Sequence, residues 1–139
     1  MRCPLVALSL ALAACADFPR DAAATQDRIR ADGVIRVGMV EGAAADPASE
    51  AVLARVSSEM DARIQRLPGH GEALLEGLAT GEYDLVYGHF ADSSPWATRV
   101  HFGTPPGGPD QPPASLPLPR FAFRMGENGW IAQVERAAP

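Results

Sequence analysis

The sequence predicts a single α/β domain of three layers, in which helices flank a mostly parallel sheet. A chain of 139 residues is long enough for one domain and short for two. Residues 34–40 form a nearly continuous apolar run, which is the pattern of a strand buried on both faces. Strand-like segments then alternate with helical segments, and this alternation implies right-handed βαβ units and a mainly parallel sheet.

The first half of the domain carries clear signals for where its elements begin and end. A short helix is predicted at 25–31, and the turn pair Asp32-Gly33 ends it. After the strand at 34–40, Asp46 is placed to cap a second helix, and Pro47 suits its first turn. The inward face of that helix carries four apolar residues, namely Val52, Leu53, Val56 and Met60.

Three further elements follow in the middle of the chain. A weaker strand is predicted at 62–69, a helix at 72–80 and another strand at 83–88. Gly81 is placed to close the helix in the left-handed conformation. These segments complete two βαβ units, so the three strands are expected to lie in one sheet.

The C-terminal part begins with a segment that suits neither a helix nor a central strand. Seven of the seventeen residues at 103–119 are Pro and three are Gly, which predicts an extended, partly polyproline connector. A half-buried strand is predicted at 120–125, with Arg120 and Arg124 on the outer side of a sheet edge. Its inward face would carry Phe121, Phe123 and Met125. A final helix is predicted at 127–137.

The composition excludes one class of partner. The chain has 17 acidic and 12 basic residues, and its net charge is -5. Nucleic-acid affinity comes largely from Lys and Arg that neutralise phosphates, so a nucleic-acid partner is not expected.

The N-terminal residues predict export to the bacterial cell envelope. Arg2 precedes an apolar run at 5–14 that is too short to span a bilayer, for which about 20 residues are needed. The run ends in Leu-Ala-Ala-Cys15, which resembles a bacterial lipobox; the resemblance implies cleavage before Cys15 and its acylation, with 16–24 as a tether. The alternative is an ordinary secretory signal in which Cys15 is incidental. Removal of the signal and acylation would leave no free cysteine for a disulfide or a metal.

Several segments occur in an order and spacing typical of one protein family. The segment RIRADGVIRVGMVEG combines a helix, a Gly and a strand, and residues 78–85 fit a leu-x-x-gly-x-x-asp-leu passage. Phe102 and Pro105 follow the next loop, and FRMGENGWIAQVERA provides a late strand and helix. Together these segments resemble the bacterial extracellular solute-binding proteins of the polar amino-acid type. The resemblance implies the fold of lobe I of a periplasmic binding protein and a role with an ABC transporter.

The chain departs from that family in two ways. The family has a second lobe, and here the Pro-rich connector stands in its place, so we expect a single lobe closed on itself. The family's loop also carries an Arg, twelve residues after the Asp, that binds the ligand carboxylate. That position falls on Trp96, with Arg99 three residues further on, and the family's loop Thr falls on Ser93.

The predicted binding site lies beyond the carboxyl ends of the strands, where ligands bind in open parallel sheets. Its six candidate residues are Glu41, His89, Asp92, Ser93, Ser94 and Trp96. Asp92 and Ser93 also suit the cap of a short helix starting at Pro95, and Trp96 also suits a cover over core left open by the missing lobe. Glu41 fits an exposed loop position as well as a cleft.

No pattern in the chain supports catalysis, a metal or a cofactor. His70, His89 and His101 have no close spacing of the kind found in zinc sites. No nucleophile–base order, phosphate-binding loop or carboxylate pair is persuasive, so we predict a protein that is not an enzyme and needs no cofactor.

Two functional hypotheses follow. The first is a lipid-anchored solute-binding protein that serves a transporter and binds a small polar solute. The alternative is a degenerate binding-protein domain that contacts another envelope protein and binds no ligand. The two differ in whether the former cleft receives a solute or a protein.

Overall fold

The computed structural model describes residues 21–139. The signal peptide at 1–14, the lipidation of Cys15 and the start of the tether lie outside the described residues. None of the helices in residues 21–139 is both long enough and apolar enough to cross a bilayer.

The described chain contains four α-helices, five strands and one short 3₁₀ helix. The helices are α1 (Thr25–Asp32), α2 (Pro47–Met60), α3 (Gly71–Thr80) and α4 (Asn128–Arg136). The strands are β1 (Val34–Val40), β2 (Arg63–Gly69), β3 (Leu85–Phe90), β4 (Val100–Phe102) and β5 (Leu118–Arg124), and the 3₁₀ helix is Pro95–Thr98.

All five strands form one sheet in the order β2-β1-β3-β5-β4. Strand β1 pairs in parallel with β2 and β3, whereas β5 is antiparallel to both β3 and β4. Four strands therefore run in one direction and β5 runs against them. The prediction of an α/β domain with a mostly parallel sheet is confirmed, and the sheet is mixed because of β5.

Apolar side chains cover both faces of the sheet and form two clusters. One cluster joins the sheet to α1, α2 and α4 through Ile29, Val56 and Trp130. The other packs Leu74, Leu75 and Leu78 of α3 against the opposite face. Neighbouring residues of one strand alternate between the clusters, as Leu85 and Val86 do, since successive side chains of a strand point to opposite faces.

The local helix signals act as the sequence predicts. Oδ1 of Asp46 accepts hydrogen bonds from the backbone N–H groups of Ala48 at 2.9 Å and Ser49 at 3.1 Å, which caps α2. Gly81 closes α3 with φ of 90° in the left-handed region, where glycine has no steric penalty. These short-range interactions fix where α2 begins and where α3 ends.

Strand β3 lies two residues further along the chain than predicted. The Asp84 carboxylate turns into the domain before the strand starts, where it accepts hydrogen bonds from Arg28 and Arg36. At the other end, β3 extends past Gly88 because Phe90 pairs with Leu118 of β5. His89, predicted to lie in a loop, is therefore in the strand.

The prediction that Arg120 decorates the outer side of an edge strand is wrong. Strand β5 lies between β3 and β4, and the three-residue strand β4, which the sequence reading missed, forms the sheet edge. Arg120 is only 2% exposed, and Phe102 and the connector residues that follow β4 surround it. Met125, predicted to face the core, lies beyond the end of β5 and is exposed.

Strand β5 also begins inside the segment predicted to be a connector. Pro119 pairs with His89 of β3, whereas β4 pairs only with residues 122–124. Pro119 therefore has a strand neighbour on one side only, which is where a sheet tolerates a residue without an N–H donor.

Candidate functional site

Four polar side chains lie along the edge of the sheet at which β1, β2 and β3 end, which is a different edge from the one that strand β4 forms. Glu41, His70 and Asp92 follow β1, β2 and β3, whose carboxyl ends meet at this edge. Arg120 joins them from the beginning of β5, because β5 runs in the opposite direction. In open α/β sheets this edge is where ligands bind.

Arg120 is a buried cation at this edge. Its Nη1 donates a hydrogen bond to Oδ1 of Asp92, whose side chain is about half exposed. Its Nε is buried and has no hydrogen-bond partner among the described residues. A buried guanidinium with an unused N–H retains a donor that a ligand oxygen would satisfy.

Arg120 and Asp92 line a cleft of about 210 Å³. The remaining walls come from β4 and the Pro-rich connector, and they include Phe102, Thr104, Pro105, Pro109, Asp110 and Pro112. The cleft is smaller than the roughly 300–1,000 Å³ of sites for drug-sized ligands. Its volume and lining suit a small polar molecule.

The connector is attached to the domain on both sides of this cleft. The backbone N–H of Ser93 donates to the carbonyl oxygen of Ala114 at 2.9 Å. The N–H of Gly103 donates to the carbonyl oxygen of Phe121, also at 2.9 Å. The connector thereby closes over the edge of the sheet and supplies a wall to the cleft.

The predicted capping role falls on a neighbouring residue. The short helix begins at Pro95 as expected, but Oγ of Ser94 accepts the hydrogen bond from the N–H of Trp96 at 3.3 Å. Asp92 pairs with Arg120 instead, and Ser93 bonds to the connector through its backbone. Neither Asp92 nor Ser93 is the cap.

Trp96 packs on the core and not on the cleft. Its ring is half-buried against the cluster formed by α3, and the guanidinium of Arg99 lies 4.9 Å from the ring centroid. Arg99 also donates two hydrogen bonds to the carboxylate of Glu76, at 2.6 and 3.0 Å. These hydrogen bonds from Arg99 lower the pKa of Glu76, and the same contacts raise the pKa of Arg99.

Two predicted residues lie at the same edge but outside the cleft lining. An oxygen of Glu41 lies 3.4 Å from Nδ1 of His70, and both side chains are exposed. His89 is exposed near the end of β3. The structure therefore places Asp92 in the cleft with Arg120, and it brings neither Glu41 nor His89 into the lining. Within residues 21–139 no group of His, Cys, Asp and Glu side chains is arranged to hold a metal ion.

Two other polar groups have contacts that stabilise the fold. The buried carboxylate of Asp84 forms salt bridges with Arg28 and Arg36, and these pairs join α1 and β1 to the start of β3. Tyr87 donates a hydrogen bond to Asp46 at 2.9 Å, and burial raises the pKa of Tyr87. Both sets of contacts are satisfied within the domain.

A larger and more apolar groove lies on the α4 side of the connector. Its volume is about 340 Å³, and it lies between the end of α4, the start of the connector and the side chains of Val52 and Phe123. Glu135 borders it and accepts a hydrogen bond from the N–H of Thr104 at 3.1 Å. Its lining contains no Arg.

Sequence reasoning missed Arg120 as a site residue, although a signal was present. Arg120 lies within Leu-Pro-Arg-Phe-Ala-Phe, where apolar neighbours lie on both sides of it. An Arg in an apolar strand needs a buried partner or a ligand, since an unpaired buried charge is costly. That signal indicates burial but does not identify the partner.

Solved structures of amino-acid-binding proteins share this fold, among them the following three. The arginine-bound form of domain 1 of TmArgBP, from T. maritima, has a TM-score of 0.63 and 13% identity, and the match covers 81% of this chain and 96% of that one. A point mutant of the same arginine-bound domain gives 0.64 and 13%, with 81% and 95% covered. An ancestral cationic amino acid solute-binding protein gives 0.64 and 14%, with 82% and 92% covered.

Sequence comparisons add nothing to this, since no protein-family model and no curated protein matches the chain. The fold is that of a single lobe of an amino-acid solute-binding protein, as the sequence resemblance implies. The structural match extends over nearly the whole length of the isolated domain 1. At this level of identity the comparison establishes the fold.

Proposed function

We propose that this chain is a single-lobe solute-binding protein of the bacterial envelope that binds a small polar solute at the sheet edge containing Arg120 and Asp92. The solute would be an amino acid or a molecule of similar size and polarity. The protein would serve a transporter from a lipid anchor at Cys15. It needs no catalytic group for this role.

One observation supports the proposal most directly. A domain of the same fold, domain 1 of TmArgBP, holds arginine as an isolated domain. A second lobe is therefore not a requirement for ligand binding by a domain of this kind. In our chain the Pro-rich connector provides a second wall over the same edge, which partly encloses the cleft.

The length of chain between Cys15 and the domain fits the proposed location. Asp21 is attached to the domain, since its carboxylate accepts a hydrogen bond from the N–H of Trp130 at 2.8 Å. Cys15 precedes Asp21 by six residues, a length that reaches about 20 Å at most when fully extended. An acylated Cys15 would thus hold the domain close to the membrane surface.

Thermal unfolding of the purified full-length chain, screened against amino acids, amines and organic acids, tests the proposal. A ligand that binds the folded state stabilises it by mass action. At a hundred times its Kd such a ligand should raise Tm by roughly 5–15 °C. An unchanged Tm across the whole screen would contradict solute binding.

A second candidate function is a protein-contact domain without a ligand. It is favoured by Arg99, the arginine closest to the family's carboxylate-binding position, because Glu76 already occupies its guanidinium. This alternative expects no Tm shift with any solute and capture of one specific envelope protein after crosslinking in cells. A solute-dependent shift would exclude it as the sole function.

A further inference from the structure

We infer that Arg120 is a carboxylate-binding residue, and that it replaces the loop arginine of the solute-binding family from a different strand. The inference rests on the proposed function, because it names the chemical group by which the solute would be held. The ligand class is a small molecule with a free carboxylate that fits a cleft of about 210 Å³. The argument depends on four features of the structure.

The first feature is the burial of Arg120 without full pairing. Its side chain is 3% exposed, yet the described residues provide one carboxylate, that of Asp92, and leave Nε without a partner. A fully structural buried Arg is expected to have its donors satisfied, because each unsatisfied buried donor costs about 1–3 kcal/mol. An incompletely satisfied guanidinium in a cleft wall is the arrangement expected when a ligand supplies the missing acceptor.

The second feature is the chemistry of the free donor. Guanidinium N–H groups lie in one plane and match the two oxygens of a carboxylate, which gives a bidentate pair. Asp92 occupies Nη1, so the edge that contains Nε keeps an unused donor; because Nε is buried, a carboxylate reaches that edge once the side chains that cover it move aside. Asp92 then holds the guanidinium in position while the ligand binds beside it.

The third feature is the composition of the surrounding walls. Thr104 contributes a polar side chain, and Phe102 and Pro105 contribute apolar surface. Asp92 and Asp110 leave the lining with more acidic than basic groups. That balance disfavours ligands with several negative charges and suits a monocarboxylate, including one that also carries a cationic group.

The fourth feature is that Arg99, the arginine nearest in sequence to the family's carboxylate-binding position, already has a carboxylate partner. Arg99 forms two hydrogen bonds to Glu76 and lies over the ring of Trp96. It is not among the residues that line the cleft. Arg120 is therefore better placed than Arg99 to receive a ligand carboxylate at this edge.

The direct test is a titration with acetate, observed through the arginine Nε–H signals in ¹⁵N–¹H NMR spectra of the full chain. The Arg120 signal is identified by its absence in Arg120→Lys. Acetate should shift that signal until the shift reaches a plateau, whereas sodium chloride at equal ionic strength should not shift it. The matched control is Arg124→Lys on the same strand, which should leave the acetate titration unchanged, since Arg124 does not line the cleft.

A second variant keeps the test informative if Arg120→Lys does not fold. Asp92→Asn removes a negative charge beside the guanidinium but keeps an oxygen acceptor, so acetate should bind about two- to tenfold more tightly. A purely structural Arg120–Asp92 pair predicts no gain in acetate binding. An unchanged or weakened acetate titration in Asp92→Asn would therefore overturn the inference.

Two solutes that differ by one group separate this inference from the proposed function. L-arginine and agmatine have the same guanidinium side chain, and agmatine lacks the carboxylate. We expect L-arginine to raise Tm more than agmatine, and Arg120→Lys to weaken carboxylate binding roughly ten- to a hundredfold. If a solute raises Tm equally in the wild type and Arg120→Lys, the result supports the proposed solute binding and contradicts the assignment of Arg120 as the carboxylate-binding residue. If no solute raises Tm and acetate does not shift the Nε signal, the result contradicts both the proposed solute binding and the Arg120 site.

Discussion

The buried carboxylate of Glu127 accepts a hydrogen bond from the backbone N–H of Thr25 at 3.0 Å, and it also accepts one from the N–H of Ala23. Glu127 precedes α4, whereas Thr25 is the first residue of α1, so one side chain satisfies the start of a helix about a hundred residues away. In return, Asp21 accepts a hydrogen bond from the N–H of Trp130 in α4. The two ends of the described chain are thus joined by reciprocal caps.

Glu127→Gln should destabilise the domain by about 1–3 kcal/mol, because an amide has one acceptor oxygen in place of two and loses the favourable charge at a helix N-terminus. Urea unfolding of the two proteins measures the difference. Glu59→Gln is the control, since Glu59 is exposed and surface substitutions usually stay within about 0.5 kcal/mol. Equal loss in both variants would show that the Glu127 contacts contribute no specific stability.

Asp84→Asn should cost about 2–4 kcal/mol in the free energy of unfolding. The carboxylate is fully buried and pairs with Arg28 and Arg36. The neutral amide leaves Arg36 without a counter-charge and leaves Arg28 with the exposed Asp32 alone, at 3.9 Å. The estimate lies toward the lower range for buried pairs because both arginines are about one-third exposed. Chemical denaturation of Asp84→Asn beside Asp110→Asn, an exposed position in the connector, measures it. A loss below that of the control would exclude a structural role for this Asp.

The helix termini were predictable because their signals are local. Asp46 and Gly81 act through groups within a few residues of themselves, so the sequence alone identifies the start of α2 and the end of α3. The fold class was also predictable from the sequence, because the alternation of strands and helices is visible along the chain.

The cleft was not predictable, since its parts meet only in the folded domain. Arg120 is surrounded by the end of β4, a strand of three residues that is too short to give a periodic signal, and by the Pro-rich connector, which has no periodic pattern. The wall depends on the hydrogen bond between Ser93 and Ala114, two residues that are far apart in the sequence. Asp92 was selected for its position after a strand, and its partner in β5 could not be inferred from that position.

Gly77→Ala should destabilise the domain although alanine favours helices more than glycine does by about 1 kcal/mol. A Cβ atom at this position in α3 would lie 2.5 Å from Cε2 of Tyr83, so the ring has to move. Gly71→Ala, at the first position of the same helix, is the matched control, because its Cβ would lie 4.0 Å from the methyl groups of Val40. Thermal unfolding should give a lower Tm for Gly77→Ala and an equal or higher one for Gly71→Ala. A raised Tm in both would mean that Tyr83 yields without cost.

The contribution of the Asp46 carboxylate to the free energy of unfolding should disappear in acid. Burial opposes ionisation, but hydrogen bonds from Ser49, Tyr87 and Ala48 hold the pKa of Asp46 below its usual value of 3.8. A carboxyl whose pKa is depressed on folding stabilises the protein above its unfolded pKa, and that contribution is lost as pH falls through the folded value. The stability difference between wild type and Asp46→Asn should therefore be largest near pH 7 and should shrink below about pH 4. Urea unfolding over this pH range measures it, with exposed Asp110→Asn as the control, and a difference that grows in acid would contradict the assignment.

Cys15→Ser should release the protein from the membrane fraction. If Cys15 is the acylated residue, several acyl chains hold the domain stably, whereas a serine offers no thiol to modify. Cell fractionation should move the variant to the soluble envelope fraction, and mass spectrometry of the wild-type protein should find the lipid on Cys15. The Tm of the domain should stay unchanged, because the substitution leaves intact the hydrogen bond from the N–H of Trp130 to Asp21 that attaches the start of the described chain. An unmodified Cys15 in wild-type protein would favour the ordinary secretory signal, in which this cysteine is incidental.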